Sequence, residues 1–142
     1  MKNLANFKTD IKTREYLIQA IYQMFFNKQD PLEIIEQFKK EHEFQKVNFD
    51  KFSESLLSIN KYSEEFKKIL KFLDIQDKNI NLLDKSIIYF AINEIKFGNL
   101  DTPVVIDESL RLSKKFSNPE SYKFINACLD KYIKNPKSNI DF

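Results

Sequence analysis

The chain has 142 residues, 42% of them hydrophobic and 31% charged, with a formal net charge of +2. That is material for one compact core, too balanced for a disordered tail or a uniformly basic nucleic-acid binder. One glycine, one cysteine and one histidine exclude Gly-rich phosphate loops, dinucleotide fingerprints, disulfide frameworks and His/Cys zinc sites, and any catalytic triad would have to use His42. No cofactor, metal site or enzymatic activity is expected from such a residue set.

Helical periodicity dominates. Leu17, Ala20, Ile21, Met24 and Phe25 fall on one face and predict a helix from about Ile11 to Asn27. Asp30-Pro31-Leu32-Glu33 opens a second: Asp30 caps, Pro31 takes the first helical position and Glu33 reaches back to the cap, with Ile34, Ile35 and Phe38 as the apolar stripe. Lys39 to Lys46 is polar. Asn48 caps a third helix with Phe49, Phe52, Leu56 and Ile59 on one face, and Tyr62, Phe66, Ile69, Leu70 and Leu73 make a fourth stripe. Asp74 to Asn79 reads as a loop.

From about Ile80 to Phe97 the apolar residues Leu82, Leu83, Ile87, Ile88, Phe90, Ala91, Ile92 and Ile95 cover most of the circumference, the mark of a central, buried helix. Gly98-Asn99 stops it. Thr102-Pro103 opens the next helix, to about Phe116, and Asn118-Pro119 the last, to about Lys134; Asn135-Pro136 ends it and 135–142 reads as a frayed tail. Only Thr102 to Ile106 could pass for a strand, and it has nothing to pair with. The prediction is an all-α bundle of about seven helices in a single domain, 1–142. Met1 to Asp10 has no apolar signal-peptide core, and no run approaches the ~20 residues of a membrane span. The expectation is a soluble, cytoplasmic protein whose single thiol suits a reducing compartment.

Three blocks say more. Arg14-Glu15-Tyr16-Leu17-Ile18-Gln19-Ala20-Ile21-Tyr22 resembles the opening-helix pattern R-E-x-x-x-Q-A-L-Y of the NusB family of bacterial transcription antitermination factors. Ala91-Ile92-Asn93-Glu94-Ile95 resembles the A-x-Y-E-L end of its central helix. Ile106-Asp107-Glu108, then Leu112-Ser113-Lys114-Lys115-Phe116, then Lys123-Phe124-Ile125-Asn126-Ala127-Cys128-Leu129-Asp130-Lys131 resemble its I-N-E-A, L-A-K-x-F and K-F-V-N-G-V-L-D-K. Order and spacing match along essentially the whole chain. The resemblance implies two three-helix groups packed together with an additional helix. It implies a non-enzymatic factor that binds the boxA element of single-stranded leader RNA with a small-subunit ribosomal protein acting as NusE. Other Nus factors and RNA polymerase complete the assembly, and the protein itself is a monomer or a homodimer.

One departure bears on function: the family's arginine-rich run is thinned to Asp10-Ile11-Lys12-Thr13-Arg14 with Lys8 upstream. Two others, Ala127 in place of a glycine and a turn around Pro103 two residues shorter, are tolerable for the fold. By charge alone Lys8, Lys12 and Arg14, with Lys2 nearby, are a solvated helix face; the resemblance makes them phosphate contacts, Arg14 also able to stack or to bond a base edge. Lys123 with Phe124 pairs a cation and an aromatic, for phosphate and base, although the spacing of Phe124 with Cys128 equally suits core. Tyr22 packs with its hydroxyl available to RNA.

Asp84 in a first turn suits the helix dipole, and by resemblance matches a family acid that contacts the ribosomal protein from the helix's outer face. Asn126 is expected to bond a neighbouring helix's backbone, Cys128 to be an inert core thiol and His42 a surface residue. Asp107 and Glu108, adjacent on a helix, do not converge on a substrate. Two other readings compete: the RNA-binding domain of a ribosomal-RNA cytosine methyltransferase fragment, and a helical protein-interaction adaptor without RNA binding.

Overall fold

The computed structural model describes residues 4–75 and 80–135; Lys2, most of the polar 74–79 segment and the tail beyond Asn135 lie outside them. Among the described residues the elements are α1 (Leu4–Asn27), α2 (Pro31–Glu41), α3 (Phe49–Phe72), α4 (Leu82–Phe97), α5 (Thr102–Phe116) and α6 (Pro119–Lys134), with no strand.

The count is six, not seven, because the expected third and fourth helices are one. No Gly or Pro interrupts Phe49–Phe72, and Ile59 to Phe66 is a step of seven residues, two helical turns, so the stripe Phe52, Leu56, Ile59, Phe66, Ile69, Leu70, Leu73 stays buried throughout. The candidate strand Thr102–Ile106 is the start of α5, and the cap position there is Asp101, one residue before the expected Thr102. α1 begins at Leu4, earlier than its apolar stripe suggests.

Several starts are as expected. Asp30 Oδ1 accepts from Leu32 N at 2.9 Å with Pro31 following, Asn48 Oδ1 accepts from Lys51 N at 3.1 Å, and Asn118 Oδ1 accepts from Ser121 N at 2.9 Å. The helix ends are less expected in a chain with one glycine. Lys28 (φ 51°) and Asp74 (φ 60°) take the left-handed conformation that ends α1 and α3, where Gln29 N donates to Met24 O and Ile75 N to Leu70 O. The lone glycine serves another need: a Cβ on Gly98 would run into the Glu94 carboxylate and lie 2.8 Å from Glu94 O, so only glycine fits where the chain leaves α4.

The chain divides into two compact units, Met1–Asn60 and Lys61–Phe142. In the first, α1 packs on α2, and the Thr13 hydroxyl donates to Thr9 O while accepting Asn48 N at 2.9 Å, which fixes the entry to α3. In the second, α4, α5 and α6 pack pairwise on one another. α4 is buried nearly all round, from Asp84 through Glu94, as its sequence predicts.

Candidate functional site

Residues spaced by three, four or seven on a helix share a face. Lys8, Lys12, Gln19, Tyr22 and Phe26 follow that spacing down α1 and are all exposed. The acid on this line, Glu15, is buried at 6% exposure, so the stripe presents two ammonium groups, an amide and two rings to solvent with no exposed carboxylate among them. Tyr22 and Phe26 stack with centroids 5.7 Å apart and planes 10° from parallel. Phe26 is 67% exposed and Tyr22 37%. Lys12 Nζ sits 5.4 Å from the Tyr16 ring centroid, and His42 stacks on the same ring at 4.0 Å. His42 is therefore half-buried and caps α2, donating its backbone N–H to Phe38 O, rather than being a bare surface side chain.

Arg14 does not join the stripe. Two residues beyond Lys12, it is turned by roughly 200° about the helix axis, and it is half-buried with partners of its own. Tyr22 proves more open than a packing role implies. Phe26 was missed by sequence reasoning. Its signal was there: it lies four residues after Tyr22 on the face of Lys8, Lys12 and Gln19, away from Leu17, Ile21 and Met24.

On α6, Lys123 is exposed and Phe124 half-buried, on a helix whose opposite side buries Ile125, Cys128, Leu129 and Tyr132. Asn126 is exposed on that helix, not inserted among apolar neighbours, because it lies roughly 120° around the axis from the centre of the buried stripe Ser121, Ile125, Cys128 and Tyr132. Burial raises the Cys128 thiol to about 11, an effect that Lys131 opposes and Asp84 reinforces, and raises the Tyr132 phenol to about 12. A thiol so held is a poor nucleophile. Glu108 pairs with Arg111 one turn away, so it faces no substrate. Among the described residues no group of three or more His, Cys, Asp or Glu side chains could hold a metal ion.

Asp84 is not on an outer face. It is 4% exposed. Its backbone N–H donates to the Asn81 side-chain oxygen at 2.8 Å, and its carboxylate accepts from Asn81 Nδ2 at 3.1 Å, from Ser117 Oγ at 2.9 Å and from Ser121 Oγ at 2.9 Å. Ser117 closes α5 and Ser121 lies in the first turn of α6. A buried carboxylate persists where donors surround it; this one ties the start of α4 to the α5–α6 corner. Among the described residues no helix is long and apolar enough to cross a membrane.

The NusB family model matches residues 11–134. The transcription antitermination protein NusB of Psychromonas ingrahamii is 32% identical over 129 residues, covering 89% of this chain and 88% of that protein. Its counterpart in Aeromonas hydrophila is 32% identical over 125 residues, covering 87% and 91%. A solved structure of T. maritima NusB superposes with a TM-score of 0.72 at 19% identity, covering 97% of this chain and 98% of that one, which establishes the likeness of fold.

Proposed function

This chain belongs to the NusB family of transcription antitermination factors, and from that premise we propose that it works by gripping single-stranded leader RNA together with a ribosomal protein. The observation that carries the RNA half is the α1 stripe: exposed rings of Tyr22 and Phe26 in line with Lys8 and Lys12 and with no exposed carboxylate between them. A base can stack on either ring while the ammonium groups meet its phosphates. Lys123 and Phe124 offer the same pairing on α6, while Arg14, turned away from the stripe, would meet RNA only on another side of α1.

The RNA is of boxA type, from the leaders of ribosomal RNA operons. The protein partner is the small-subunit ribosomal protein that acts as NusE, and the assembly joins other Nus factors on RNA polymerase in the cytoplasm. Asp84 serves the partner surface by fixing the first turn of α4 and the α5–α6 corner, since its own carboxylate is enclosed. The protein is an adaptor and no enzyme: Cys128 is protonated and buried, and His42 is engaged with two rings.

Titration of boxA-type RNA with and without the ribosomal protein, across a salt series, tests the reading. Each phosphate contact to a single strand contributes a slope of about −0.7 in log K against log salt, so Lys8, Lys12 and Lys123 together give a slope near −2, and one near −3 would bring in Arg14 as well. Binding is expected to be weak alone and tighter with the partner. No RNA binding in the presence of the ribosomal protein would leave a protein-interaction adaptor in its place.

A further inference from the structure

The turn between α2 and α3 carries the most exposed large apolar side chain among the described residues: Phe44 is 76% exposed. The turn that holds it out is fixed at both ends. On the α2 side His42 stacks on Tyr16 with centroids 4.0 Å apart, and its backbone N–H donates to Phe38 O. On the α3 side Val47 is buried, and Asn48 N donates to the Thr13 hydroxyl at 2.9 Å. Between these anchors Lys46 N donates to Glu43 O at 3.0 Å, and Lys46 Nζ stands 3.5 Å from Glu43 Oε2. Phe44 thus projects from a closed turn, and little chain entropy is left to lose when something covers it.

The surroundings of the ring are acidic. Among the described residues 41–57 the exposed carboxylates are Glu41, Glu43, Asp50 and Glu54; the exposed cation is Lys46, paired with Glu43, while Lys51 is half-buried. Asp50, Glu54 and Leu57, spaced by four and three, share an exposed face at the start of α3, directly after the turn. Such a surface repels a phosphate chain, whereas a protein with lysine and arginine around an apolar pocket complements it. Its sign is opposite to that of the α1 stripe. The two surfaces meet at Tyr16, whose ring takes both Lys12 and His42, so a protein seated on the turn lies beside the RNA without using its contacts.

Resting on the reading of this chain as an adaptor in a transcribing complex, we propose that the turn 43–46 is a docking knob for a second protein of that complex, other than the ribosomal protein. Phe44 enters an apolar pocket on that protein, and lysine or arginine side chains at the pocket rim meet Glu41, Glu43 and Asp50. The ribosomal protein is set apart because its surface rests on α4 and the α5–α6 corner, in the other compact unit of the chain. One aromatic anchor inside a rim of charge is an arrangement in which a single side chain carries most of a contact.

The experiment uses the full chain with the ribosomal protein, boxA-type leader RNA, RNA polymerase and purified Nus factors, assembled into a transcribing complex. Phe44→Ser is expected to leave circular dichroism, RNA affinity and ribosomal-protein affinity unchanged. It is expected to weaken retention on the transcribing complex by about 10-fold or more, the scale of a buried aromatic anchor. Glu41→Lys combined with Glu43→Lys is expected to slow association and to reduce its dependence on salt. With p-benzoylphenylalanine in place of Phe44, irradiation is expected to join the chain to one protein of the complex, at an apolar site flanked by lysine or arginine. A cross-link to RNA, to the ribosomal protein or to a second copy of this chain overturns the proposal, as does the lack of any cross-link. Should the unaltered protein bind RNA with its ribosomal partner while Phe44→Ser is retained equally well, the knob is wrong and the RNA reading stands. Should the unaltered protein bind no RNA with that partner present, both fall.

Discussion

On α1 the candidate contacts stand on a bare helix face, whereas at the α5–α6 corner they stand on a buried hydrogen-bond network. Lys8, Lys12, Tyr22 and Phe26 project into solvent from a helix whose other side is packed by Leu17, Ile18, Ala20 and Ile21. Lys123 and Phe124 follow Ser117 and Ser121, whose hydroxyls are fixed by a carboxylate from α4. The difference concerns separability. On α1, binding residues are removable one at a time with the fold untouched. At the corner, the residues that shape the surface also hold three helices together.

The largest expected effect breaks the corner. Asp84→Ala leaves the Ser117 and Ser121 hydroxyls and the Asn81 amide without their acceptor in a buried setting, a loss of about 3 kcal/mol. A urea titration should show a lowered midpoint with an unchanged m-value. Asp84→Asn, which keeps an acceptor oxygen, should lose less. If Asp84→Ala unfolds at the wild-type midpoint, the corner does not depend on the network and the contrast with α1 disappears.

Alkaline pH probes the same side of α6. Cys128 and Tyr132 both have folded-state values above their ordinary ones, to about 11 and about 12. Their contribution is therefore fully present below about pH 9 and is lost as pH rises through 9 to 12, because the unfolded chain releases these protons first. Two displacements of about two pH units would be worth about 5 kcal/mol in full, and solvent screening of groups this near the surface reduces the total to on the order of 2 kcal/mol. Chemical denaturation at pH 8 and pH 10.5 should show the fall, and Cys128→Ala should flatten its first part. A fall of the same size in Cys128→Ala would assign the loss to other groups.

Tyr22→Ala and Phe26→Ala sharpen the comparison from the other end. Each should weaken RNA binding by about 1–3 kcal/mol if a base stacks there, and neither should move the thermal midpoint as Asp84→Ala does, since Phe26 is largely in water and Tyr22 more than a third exposed. Thermal melts and RNA titrations on the same preparations decide it. A stability loss matching the binding loss would make the pair a packing feature and not a contact surface.

How far the sequence revealed this arrangement follows from the range of each signal. One-sided burial repeats every turn, so the stripes of α2, α3 and α6 and the all-round burial of α4 were readable from spacing alone. The fusion of two expected helices into α3 was also present in the seven-residue step from Ile59 to Phe66, with no Gly or Pro between them. Asp84 was not readable, because its acceptor role depends on serines 33 and 37 residues further along the chain. Nor were Lys28 and Asp74, which take the backbone conformation that glycine usually signals. Phe26 differed only in direction, one residue beyond Phe25 and on the other side of a boundary that composition does not draw.

The smallest expected effect isolates charge from everything else. Lys12 is exposed, and its ammonium stands 5.4 Å from the Tyr16 ring, a ring already covered on another side by His42. Lys12→Gln removes the charge at an exposed position and leaves a shorter polar stem beside that ring, so the packing of α1 on α2 is retained. The melting temperature should stay where it is, and RNA affinity at low salt should drop only slightly. The salt slope should become shallower by about 0.7, the signature of one lost phosphate contact to a single strand. Lys12→Arg should restore it, because the contact is electrostatic and either cation supplies it. A slope that does not change in Lys12→Gln would remove Lys12 from the interface and shift the burden of phosphate binding on α1 to Lys8, at the helix end farther from the Tyr22–Phe26 pair.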